Sequence, residues 1–116
     1  MSSNAFAIQG NTVEMDVTST THSTIQVSGG GPGNMNYILT NTGSNTVWVA
    51  YALPATVGGA APTVTVVAPT DGSPANGYPV LAGSKESVTG PPNAYFSAIC
   101  AAGLTSKLYI TPGEGE

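Results

Sequence analysis

The stretch that decides the fold is Met35-Asn36-Tyr37-Ile38-Leu39-Thr40-Asn41-Thr42-Gly43-Ser44-Asn45-Thr46-Val47-Trp48-Val49-Ala50-Tyr51-Ala52. Two runs rich in apolar and β-branched residues flank Asn41-Thr42-Gly43-Ser44-Asn45. A short Asn/Gly connection of this kind predicts a β-hairpin. In the second run, Val47, Val49 and Tyr51 fall on one face, and Trp48, Ala50 and Ala52 on the other. A strand apolar on both faces is either central in a sandwich or has its outer face covered.

Outward from this stretch the same period of two recurs. Thr12 to Val17 alternates, with Val13, Met15 and Val17 on one face and Glu14 and Asp16 on the other. Thr24 to Ser28 points Ile25 and Val27 inward, and the run Gly29-Gly30-Gly31-Pro32-Gly33-Asn34 then breaks the chain. Further strands are predicted at Thr63 to Ala68, Lys85 to Thr89, Tyr95 to Cys100 and Thr105 to Thr111, with Pro112-Gly113 ending the last. Pro54 to Pro62 is a loop of small residues, and Pro69 to Pro79 is the longest stretch without periodicity, hence a protruding loop. About eight short strands at roughly ten-residue spacing predict an all-β single domain over residues 1–116. Its architecture is an antiparallel β-sandwich of jelly-roll or Greek-key type.

Composition restricts function. Of 116 residues, 41% are apolar, enough for one core, but only 7% are charged, and the net charge is −4. There is no arginine, and Lys85 and Lys107 are the only lysines. Two isolated cations cannot neutralise a phosphate backbone, so no nucleic-acid partner is expected. No apolar run approaches the ~20 residues that cross a bilayer, so no membrane partner is expected either. Residues 1–10 carry neither a basic nor a long apolar segment, and no secretory leader is predicted.

Chemistry-bearing residues are few. His22, the sole histidine, lies in a turn without partners for a triad or a metal. Cys100, the sole cysteine, ends an apolar strand as a small buried hydrophobe. Glu14 and Asp16 share one strand face within reach of a single cation, unlike a glycosidase pair that flanks a bond from two sides. The glycine run lacks the lysine and helix of a phosphate cradle. No catalytic residue, metal site or cofactor is therefore expected, and no enzyme. Most aromatics lie within strands and are accounted for by packing. The candidate partner-contact residues are Trp48, on the second apolar face of its strand, and Tyr78 in the long loop, with Asp71 and Asn76 from that same loop.

Three segments also carry a resemblance: 37–51, Val80-Leu81-Ala82-Gly83-Ser84-Lys85-Glu86-Ser87-Val88-Thr89, and Pro92-Asn93-Ala94-Tyr95-Phe96-Ser97-Ala98-Ile99 running on to Leu108-Tyr109-Ile110-Thr111-Pro112-Gly113-Glu114-Gly115. Together they resemble small all-β accessory virion proteins of tailed bacteriophages. The resemblance implies a decoration or cement protein on the capsid surface, assembled in the bacterial cytoplasm. Its partner would be the major capsid protein, with homo-oligomeric or lattice-bound copies of itself. A tail, head-fibre or connector component binding a host glycan is the alternative.

Overall fold

The computed structural model describes residues 6–29, 35–53 and 60–114. Most of the glycine run and most of the small-residue loop after residue 53 lie outside them. Among the described residues nine strands form: β1 (Ala7–Ile8), β2 (Val13–Val17), β3 (Ile25–Gln26), β4 (Met35–Asn41), β5 (Val47–Ala52), β6 (Tyr78–Val80), β7 (Lys85–Gly90), β8 (Tyr95–Ile99) and β9 (Ser106–Glu114). All pairings are antiparallel. One sheet runs β2-β9-β4-β7, with β1 extending the β2 side of β9, and the other runs β3-β8-β5-β6. From β2 onward, every connection except β5 to β6 changes sheet. This strand order is that of a jelly roll.

The core fills the space between the sheets. Met15 and Val17 from β2, Met35, Tyr37 and Leu39 from β4, and Leu108 and Ile110 from β9 face Val47, Val49, Phe96 and Ala98 of the opposite sheet. Tyr37 meets Phe96 edge-on with ring centroids 4.9 Å apart, a geometry that suits the ring quadrupoles. The Tyr37 hydroxyl donates to Pro91 O at 2.5 Å and accepts from Ala94 N, so its buried polar end is satisfied.

The connection 42–46 is not a hairpin. β4 pairs with β7 and β9, whereas β5 pairs with β6 and β8. The inward faces of β4 and β5 bury one another only from opposite sheets, and hydrophobic burial outweighs the local turn preference. The side chain of Asn41, 1% exposed, builds the arch between them. Its Nδ2 donates to Asn45 O at 2.8 Å and Val80 O at 2.9 Å, while Oδ1 accepts from Gly43 N at 3.0 Å and Ser106 Oγ at 2.7 Å. Both donors and both lone-pair sites of the amide are used. Gly43 packs so tightly against β9 that a Cβ there would collide with the Ser106 side chain.

Segment 63–68 has the expected alternation, with Val64 and Val66 buried, yet it joins no ladder. It crosses the outer face of the β3-β8-β5-β6 sheet, where Val64 and Val66 cluster with Trp48, Ala50, Ala52, Tyr95 and Ile99. The second apolar face of β5 is thus covered by the chain itself. Side chains replace a neighbouring strand: Val64 N donates to Thr24 Oγ1 and Val67 N to Asn76 Oδ1, both at 2.8 Å.

β9 also departs from expectation by running through Pro112-Gly113 to Glu114. Pro112 O accepts from Gln9 N, in the gap between β1 and β2. The N–H that proline lacks points to the same side, so the ladder to β4 loses nothing.

Candidate contact site

The loop expected over 69–79 is shorter than its sequence suggests. Asp71 is exposed in a tight turn closed by Thr70 and Ser73. Asn76 turns back as a clasp: its Oδ1 holds Val67 N, and its Nδ2 donates to Thr65 O at 2.9 Å. Gly77 N donates to Val67 O, and a Cβ at Gly77 would press on Val67 O and Trp48. Tyr78 to Val80 then enters the sheet as β6. The amide of Asn76 is therefore occupied within the chain. Trp48 is half-buried beneath 63–68.

Tyr78 stands differently. It lies opposite Val49 on the core-facing side of its sheet, at the margin, and is 45% exposed. Tyr51 shares that margin, and Leu53 and Val67 are also exposed apolar residues. Tyr51 is two residues beyond Val49 on β5, Leu53 follows β5, and Val67 is bonded through its backbone to Gly77. Between the sheets at this margin opens an apolar slot of about 150 Å³, walled by Tyr51, Tyr78, Phe96, Val88, Leu39 and Val49. The Tyr51 and Phe96 rings lie 6.0 Å apart at the slot.

Glu86 stands beside the slot without lining it. It pairs across β7 and β4 with Leu39, so it shares the inward face with Val88, and Tyr78 Oη donates to its Oε1 at 3.3 Å. That bond links the two sheets across their open side. A broader hollow of about 400 Å³ lies over the outer face of the other sheet, between Ile38, Thr111 and Ser87 and beneath Phe6 and Ile8. Lys85 and Glu86 also line this hollow, which is more open than the slot, so the margin is the better enclosed site.

The remaining candidates resolve into structural roles. The single cation within reach of Glu14 and Asp16 is Lys107 of β9, at 3.3 and 3.6 Å. Tyr109 also donates to Glu14 Oε2 at 2.9 Å. The Tyr109 hydroxyl and the Lys107 ammonium together hold the Glu14 carboxyl below its ordinary pKa. His22 Nδ1 lies 2.8 Å from Ser23 O. Cys100 is buried, and desolvation pushes its thiol pKa up, away from reactivity. Among the described residues, no group of three His, Cys, Asp or Glu side chains could hold a metal ion.

Comparison with protein-family models, curated proteins and solved structures returned no match.

Sequence reasoning singled out Tyr78 but missed Tyr51, Leu53, Val67 and Glu86. One signal for Glu86 was available: in Glu86-Ser87-Val88 a carboxylate occupies the apolar parity of its strand. Tyr51 shares parity with core residues, and only its place at the strand end leaves it at the rim.

Proposed function

We propose that this chain is a structural virion protein, a decoration or cement protein that docks on the capsid of a tailed bacteriophage and bridges its major capsid subunits. The observation that carries this reading is the apolar margin, where Tyr51 and Tyr78, 50% and 45% exposed, flank one apolar slot. Clustered apolar exposure of this kind marks an interaction surface. The resemblance in 80–89 and 92–115 supports the same conclusion, as does the recurrence of jelly rolls in viral capsid and lectin domains, an analogy of fold. An arginine-free surface of net charge −4 suits a position outside the shell, away from packaged nucleic acid.

A second reading, a tail, head-fibre or connector domain that binds a host glycan, draws on the exposed rings of Tyr51 and Tyr78, which offer stacking faces. Immunogold labelling of purified particles with an antibody to this chain separates the two. Label spread over the head is the expected result. Label confined to the tail or to one vertex overturns the decoration reading in favour of the second.

A further inference from the structure

We propose that the slot between Tyr51 and Tyr78 is a socket for a lysine side chain presented by a partner protein. The inference rests on reading the margin as a contact surface, but not on who the partner is. At about 150 Å³ the slot is well below the ~300–1,000 Å³ of pockets that enclose drug-sized ligands. It is sized for one side chain. Its walls are apolar and aromatic throughout, which suits an aliphatic stem.

The charge beside it, reached through the Tyr78 hydroxyl, selects what the stem carries. Glu86 faces the inter-sheet side of β7, and its only hydrogen-bond partner among the described residues is the Tyr78 hydroxyl. Neither lysine of this chain neutralises it: Lys107 is held by Glu14 and Asp16, and Lys85 is on the opposite face of β7. A neutral apolar side chain would fill the slot and leave the carboxylate partly desolvated without compensation. An ammonium reaching the same point meets Glu86 and the electron-rich faces of the tyrosine rings. Addition of a partner strand along β7 is disfavoured by the same residue, because an inward-facing charge on an edge strand is a barrier to such pairing.

The test is a titration of the full chain, followed by amide and methyl NMR, with Nα-acetyl-lysine methylamide and its uncharged isostere Nα-acetyl-norleucine methylamide. The lysine probe is expected to saturate shifts at Val49, Tyr51 and Val88 at millimolar concentration. The norleucine probe should bind at least about fivefold more weakly, and Glu86→Gln, which can keep the Tyr78 hydrogen bond, should weaken the lysine probe by about the same factor. Equal binding of the two probes, an unchanged affinity in Glu86→Gln, or no saturable shift each overturns the proposal. Leu53→Ser and Leu53→Asn test the neighbouring surface independently, because Leu53 follows Tyr51 and does not line the slot. Loss of partner binding in those variants alongside a failed lysine titration would retain the contact surface and discard the socket.

Discussion

Asn41 shows how much one polar side chain can organise when it is buried and fully bonded. Its amide ties together the arch, β6 and β9, so truncation would strand several buried groups as well as open a void. Asn41→Ala should lower stability by about 2–4 kcal/mol, read as a lower urea midpoint at unchanged slope. On the surface, the Glu14–Lys107–Tyr109 cluster gives stability a pH dependence. Because the Glu14 carboxyl is lowered in the folded state, the unfolded chain binds its proton more readily. The cluster's contribution is therefore full above the unfolded value of about 4.3 and is lost as pH falls through the lower folded value. Glu14→Gln should make the fall in Tm between pH 5 and pH 3 shallower, with a Tm slightly below wild type at pH 7 that converges with it at low pH. An unchanged profile would show that the pairing has no energetic weight. The solvent-accessible setting of the cluster, with the Glu14 and Lys107 side chains about half exposed, keeps the effect small.

At the scale of elements, the strands were legible and their partners were not. Alternation in 12–17, 35–40 and 46–52 located β2, β4 and β5, because burial on one face dictates period two. What period two cannot say is which sheet a strand joins, and so Asn41 to Asn45 read as a hairpin when it is an arch. Likewise 63–68 alternates because one of its sides is buried, although it lies on a sheet rather than in one. The short β1 and β6 carry too few residues for a periodic signal. The sparse charges have a consistent place. Glu14 and Asp16 lie on edge strand β2, and Lys85 and Glu86 on edge strand β7, while edge strands β3 and β6 are only two and three residues long and β6 contains Pro79. Those features oppose unwanted edge pairing in a chain with little charge to spend. The cover over Trp48 yields two expectations. Asn76→Ala should loosen 63–68 and shift Trp48 emission to the red while the core stays folded. Trp48→Ala should cost about 2–3 kcal/mol, below the ~3–5 of a fully buried aromatic, because only part of the ring is covered. A Tm equal to wild type in Trp48→Ala would mean that the cover does not pack on it.

For the whole molecule, an all-β sandwich was readable from composition and turn spacing alone, since few helix formers and frequent Gly, Pro and Asn leave little alternative. The contact surface was only partly readable. Tyr78 stood out by its place in an aperiodic segment, but Tyr51 joins it only through the pairing of β5 with β6, and Glu86 only through the crossing from β6 to β7 in the other sheet. Under the proposed reading, the exposed Tyr51 and Tyr78 at one margin are the surface by which the domain docks. The most direct measurement is co-sedimentation of the purified chain with phage shells that lack it, using wild type and the double variant Tyr51→Ser, Leu53→Ser. Saturable binding by wild type is expected, with at least about tenfold weaker binding by the variant at an unchanged fold, as when anchor residues are lost. Equal binding of the two proteins, or no binding of wild type to shells, would contradict it.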